Sequence, residues 1–158
     1  MQLDDLCSKG DEAVTSALRS PRERLGGYLL LPRLIDKVRL HAQGTLPPEY
    51  VGNLLKPTGS TLDSRFLAFT GLDAEKLREA ILTAKNDDAV LAWVERHAIS
   101  HNPSEKEAWA EEIATYRPTP EMAEYRKKIY PELAGKVDLA SISVLDMIDL
   151  DEGRIPTR

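Results

Sequence analysis

The sequence predicts an all-α fold, one compact domain of six or seven short helices across residues 1–158. Three observations carry this. Apolar residues recur every three or four positions through most of the chain, the spacing that lays a stripe along one side of a helix. The segments between these runs carry cap and stop residues, and none alternates apolar and polar residues as a half-buried strand would. At 42% hydrophobic and 30% charged, the chain has a globular balance, and its 158 residues are enough to bury a core without staples.

Residues 1–19 hold Val14, Ala17 and Leu18 at helical spacing, the pattern of a short first helix. In SPRERLGGY, Ser20 can cap a turn with Pro21 at its first position, and Gly26-Gly27 stops it. Leu31 is disfavoured in the α region by the proline after it, so Pro32 is expected to open the next helix. That helix runs to about Gln43 with Leu31, Leu34, Ile35, Val38 and Ala42 inward, and Gly44 closes it. Arg33, Asp36 and Lys37 project from the opposite side. The next 17 residues, TLPPEYVGNLLKPTGST, hold three prolines and two glycines and read as a loop.

Leu62 to Thr70 has the spacing of a short helix, with Gly71 to end it. Asp73 then caps a helix carrying Leu77, Ala80, Ile81 and Ala84, while Leu72 and Leu77 form a hydrophobic staple. Asn86-Asp87 starts another, with Val90, Leu91, Val94 and Ala98 inward. Asn102-Pro103 breaks it, and Ser104 with Glu107 reads as a capping box for a helix bearing Trp109, Ile113 and Tyr116. Thr119-Pro120 opens a helix with Met122, Tyr125 and Ile129 inward and Pro131 at its end. Ser143 caps a last one bearing Val144, Leu145 and Ile148.

The stretch SPRERLGGYLLLPRLIDKVRLHAQG, with TLDSRFLAFTGLDAEKL and DDAVLAWV after it, resembles a bacterial family known as domain of unknown function 5069. Its densest part is LPRLIDK at residues 31–37, with Ser20-Pro21-Arg22, Gly27-Tyr28, Gly44, Leu62-Asp63, Phe66, Phe69, Gly71, Asp73, Asp87 and Trp93 around it. The likeness covers about residues 18–98 and fades from Trp109 onward, so residues 104–150 read as a helical extension packed on that part. Where the family carries Cys-Pro-Leu-Asp, this chain has EYVGNLLKPTGSTLD, so no role for that thiol carries over. The resemblance implies a fold and no activity.

Composition narrows the function classes. Apolar runs such as Tyr28 to Pro32 are far short of the roughly 20 residues of a membrane span. The opening MQLDDLCSKGDEAV has two acids where a secretory signal would carry bases and no apolar segment behind them, and a cytoplasmic location is expected. Cys7 is the only cysteine, which excludes a disulfide within the chain, and its polar terminal setting gives no reason for a reactive thiol. A net charge of −5 disfavours nucleic acid as a partner. The charge is uneven, however: residues 19–39 carry six bases and two acids, and residues 138–158 carry five acids and two bases. A basic front and an acidic back can pair within one chain or build a homodimer.

The best candidate site is Arg33, Asp36 and Lys37 on one side of a helix, with Arg22 and Arg24 of the basic segment beside it. Arg offers a fork for paired oxygens and Lys a mobile charge, the groups that hold an anion or an acidic partner surface. The competing reading is an ion-pair network, with Asp36 bridging Arg33 and Arg39 and an acid elsewhere meeting Lys37. His97 and His101 stand four apart, yet two ligands do not make a metal site, and both suit carbonyls at a helix end. Neither a metal nor a cofactor is expected, because no hydrolase, zinc-protease or nucleotide-binding signature is present. Trp93 and Trp109 read as core anchors. The expected function is a non-enzymatic helical module that binds a small anion or a protein partner. The alternative is a small enzyme using Asp36 or Asp63 as acid or base beside a cationic pocket.

Overall fold

Arg24–Leu25 (β1) and Tyr28–Leu29 (β2) form an antiparallel hairpin in the computed structural model, which describes residues 18–59, 61–131, 135–136, 138–152 and 154. The expected first helix and Cys7 lie outside the described residues. The hairpin is a departure from the expected all-helical course, and it is too short for alternation to announce it. Its turn needs glycine at Gly26, where φ is 58° and a Cβ would stand 2.5 Å from the Leu91 side chain.

Helix α1 (Leu31–Ala42) begins one residue earlier than expected. The sharp change of direction falls on Leu30, with φ 76°, so Leu31 is helical and Pro32 sits in the first turn. Leu30 is fully enclosed, and burial holds a conformation that a leucine otherwise avoids. The proline-rich stretch contains a four-residue helical turn, α2 (Pro48–Val51), where only a loop was expected. Helix α3 (Leu62–Thr70) has the expected bounds, with Thr61 accepting from the Ser64 N–H and Gly71 at φ 70°.

Helices α4 (Ala74–Thr83) and α5 (Asp87–His97) start at the expected caps, Asp73 and Asn86. Helix α6 (Pro103–Ala114) has its capping box two residues early, between Asn102 and Glu105. Asparagine caps as well as serine does, and this register puts Pro103 at the first helical position, where its missing N–H is harmless. Helices α7 (Pro120–Ile129) and α8 (Val144–Asp151) follow Thr119 and Ser143 as expected. The architecture is thus mostly α: seven helices of eight residues or more among the described residues, plus one short turn and the small hairpin.

The main core joins α1, α3, α4 and α5 through Leu31, Leu34, Ile35, Val38, Phe66, Leu77, Ile81, Val90 and Val94. Each such side chain contributes about 1.5–3 kcal/mol by leaving water. Phe69 stacks on Trp109, which ties α3 to α6. A second cluster sets Leu29 and Leu30 against Ala110, Ile113 and Leu145, and a third joins Tyr130, Leu139, Met147 and Leu150. Helix α8 covers its own chain: Ser20 donates to Asp149 at 3.0 Å and Arg22 pairs with Asp146. Basic front and acidic back therefore meet within one molecule.

The inward faces come out differently on two helices. Arg33 and Lys37 were expected to project outward, and they are 5% and 9% exposed. The periodicity of α1 correctly identifies its apolar side but carries no information on what covers the other one, which here is the C-terminal region. On α7 the buried residues are Ala123 and Arg126, followed by Tyr130, while the expected inward pair Met122 and Tyr125 stands exposed. No helix among the described residues is long and apolar enough to cross a membrane.

Candidate functional site

A cavity of about 340 Å³ lies between α1 and α3 on one side and α7 and α8 on the other. Arg33 and Lys37 enter it from α1, Tyr50 and Asn53 from α2 and the turn after it, and Thr61, Leu62 and Asp63 from the start of α3. Tyr116 follows α6, Met122, Tyr125 and Arg126 come from α7, and Tyr130 caps that helix. Val144 and Ile148 of α8 and then Glu152 complete it. The lining is mostly apolar, with four tyrosines and a few charged groups. That is the composition of small-molecule sites, as is the volume.

The α1 wall is electrically closed. Arg33 donates to both oxygens of Glu152, at 2.9 and 2.6 Å, the forked pairing that guanidinium and carboxylate geometry favours. Tyr50 donates to the same carboxylate at 3.0 Å, and Arg154 donates to it as well. Burial by itself would lower the Arg33 pKa and raise that of Glu152, but their mutual bonds outweigh it, so Arg33 is raised and Glu152 lowered. Lys37 donates to Asp63 at 2.8 Å, and the Leu55 N–H satisfies the other Asp63 oxygen at 2.8 Å. That bond helps hold Leu55 at φ 52°, a second non-glycine residue in left-handed backbone.

The α7 wall is open. Arg126 is 4% exposed, and its guanidinium donates to the Leu139 and Ile142 carbonyls at 3.1 and 3.2 Å. Among the described residues no carboxylate pairs with it. Desolvation lowers its pKa, as it does for any cation taken from water without a counter-charge. The two carbonyl bonds occupy one end of the fork and fix its direction. The Tyr116 ring lies under the Arg65 guanidinium at 4.2 Å, which orients another aromatic wall.

Deeper in the same region stand Tyr130 and Asp151, 1% and 5% exposed. The phenol faces the carboxyl closely enough to act on its charge but outside good hydrogen-bond geometry, and neither the Tyr130 hydroxyl nor either Asp151 oxygen has another hydrogen-bond partner among the described residues. Burial above all raises the Asp151 carboxyl, the facing phenol pulls it down and the charge of Glu152 raises it, and together they leave it pushed up to about 7.

Of the residues expected to hold an anion, only Arg33 and Lys37 reach this cavity, and Asp63, a candidate acid or base of the alternative reading, lines it in its pair with Lys37. Arg22 pairs with Asp146, Arg24 with Glu107, and Asp36 with Arg19, all away from it. Asp36 does not bridge Arg33 and Arg39 as the spacing suggested, because Arg19 folds back onto it and Arg39 turns to Asp87. Sequence reasoning missed Arg126, Tyr130 and Asp151. The available signal was the run Ala123, Arg126, Tyr130 at spacings of three and four, a buried stripe with a cation in it. The histidines sit on carbonyls: His97 against Trp93 O and His101 against Phe69 O, both at 2.8 Å. Among the described residues no three His, Cys, Asp or Glu side chains gather as metal ligands do.

The family model described as Domain of unknown function (DUF5069) matches residues 15–154. The match runs well past residue 98, so α6, α7 and α8, which sequence reading set aside as an extension, lie inside the matched region. No curated protein matches the chain.

Proposed function

The chain belongs to the DUF5069 family, and from that premise we propose that it is a non-enzymatic helical module binding a small organic anion in the cavity between α1 and α7. One observation carries the reading: Arg126 is a buried guanidinium on the cavity wall whose bonds, among the described residues, are to carbonyls and not to a carboxylate. A buried charge without a counter-charge is destabilising unless an opposite charge arrives, and a carboxylate or phosphate would be that charge. Arg33 and Lys37, the residues favoured by sequence, serve as a neutralised wall and not as the anchor. The apolar lining and the tyrosines favour an anion with a flat or apolar body over inorganic phosphate.

Titration calorimetry with benzoate and inorganic phosphate tests this. Benzoate is expected to bind more tightly than phosphate. Arg126→Lys, which keeps the charge but loses the fork, should weaken benzoate about tenfold or more while leaving helical circular dichroism unchanged. Equal binding by wild type and Arg126→Lys would remove Arg126 as the anchor and end the reading.

A second reading, a small enzyme, is favoured by Asp151 alone. Asp36 and Asp63, its candidates by sequence, are each held by a cation. Asp151 is held by none and sits near neutrality beside the cavity, where a carboxyl can both give and take a proton. Chemical change in a bound acid, followed by NMR and abolished in Asp151→Asn, would move the chain to this class.

A further inference from the structure

Anion binding at Arg126 leaves two polar groups beside the cavity unused. Tyr130 lines it, is 1% exposed and lies four residues after Arg126, so the two side chains neighbour each other one helical turn apart. Among the described residues its hydroxyl has no partner in good hydrogen-bond geometry, and the same holds for both carboxylate oxygens of Asp151 facing it. Buried polar atoms are nearly always bonded, and a bare one is destabilising unless another group meets it.

We propose, resting on the anion-binding reading, that the cavity selects small anions carrying a hydroxyl group beside the charged end, and that the Tyr130 hydroxyl, positioned by Asp151, reads it. The chemistry singles out a hydroxyl because it both donates and accepts. With Asp151 protonated, the carboxyl donates to the phenol oxygen and the phenol donates to the ligand. With Asp151 ionised, the phenol donates to the carboxylate and its oxygen accepts from the ligand. In either state one hydrogen-bonding position on Tyr130 remains for the ligand, and only a group with both capacities suits both. An unsubstituted ring in the same place would bury the phenol bare, which is how a polar site rejects an analogue lacking the matching group.

Calorimetry with benzoate, 3-hydroxybenzoate and 4-hydroxybenzoate, on wild type and on Tyr130→Phe, tests the proposal. At least one hydroxylated acid should bind about tenfold more tightly than benzoate to the wild type. Tyr130→Phe should erase that gap, bringing the hydroxylated acids and benzoate to within about twofold of each other, with helical circular dichroism retained. Equal affinity for all three acids, with benzoate still dependent on Arg126, overturns the hydroxyl reading and leaves anion binding standing. A gap that persists in Tyr130→Phe overturns it too. Failure of all three acids to bind removes the anion reading and this one with it.

Discussion

The two walls of the cavity carry buried cations in opposite circumstances. On α1, Arg33 and Lys37 each meet a carboxylate at hydrogen-bond distance, and those carboxylates are bonded in turn to Tyr50, Arg154 and a backbone N–H. On α7, Arg126 meets two carbonyls. A cation whose charge is matched inside the protein has nothing left to attract, whereas one held by dipoles alone keeps its field for an incoming anion. The same residue type is therefore structural on one side and available on the other, and only the partner list separates them.

The sharpest break of this contrast is Arg33→Met. It leaves Glu152, buried and ionised, without the fork that holds its pKa down, and removing one member of a buried pair typically destabilises by about 3–5 kcal/mol. Urea denaturation should show a loss of that size, and anion affinity measured below the transition should change little. A stability loss under about 1 kcal/mol, the range of surface pairs, would mean that the α1 wall is not the closed structural network described here.

Asp151 sharpens the contrast in the other direction, because it is a buried carboxyl that no cation among the described residues pairs with. Its folded pKa of about 7 exceeds the ordinary 3.8, so the folded state keeps a proton that the unfolded state has lost. Stability from this group is complete below about pH 4, falls as pH rises, and levels off once pH passes about 7. The groups facing it are Tyr130, Glu152 and Arg33. Glu152, lowered from 4.5, acts oppositely: its contribution is present above about 4.5 and is lost as pH falls from there through its depressed folded value. Asp151→Asn should thus match wild type near pH 4 and exceed it by a few kcal/mol near pH 8, read from urea midpoints at both values. A variant less stable than wild type at pH 8 would show that the ionised carboxyl is welcomed by its surroundings.

The legible and illegible parts of this chain divide along the same line. Local chemistry was readable: α3 runs from Leu62 to Thr70 and stops at Gly71 where the residues said, Asp73 and Asn86 cap α4 and α5, and the LPRLIDK stretch pointed to the right family. What covers what was not. The cavity is built from segments up to about 120 residues apart, from Arg33 to Glu152, and periodicity on one helix says nothing about its neighbours. Treating arginine as an outward residue also misplaced the face of α7, because Arg126 bonds the loop before α8 and must point inward to do so. The hairpin escaped for a simpler reason, since two-residue strands are shorter than any alternation.

The smallest effect belongs to Tyr125, and it isolates binding from folding. Its ring lines the cavity yet is 54% exposed, so it supports little of the core. Tyr125→Ala should shift stability by no more than about 0.5 kcal/mol, as surface substitutions do. If an organic anion lies between Arg126 and the tyrosines, however, the lost aromatic contact should weaken benzoate by several-fold, since such contacts contribute about 0.5–1.5 kcal/mol beyond area. A folding signal that holds while the binding signal falls requires the cavity to be a site and not a packing defect, because a defect has no ligand to lose. Unchanged benzoate affinity in this variant would place the ring outside the bound molecule's reach and confine the site to Arg126 and the residues deeper than it.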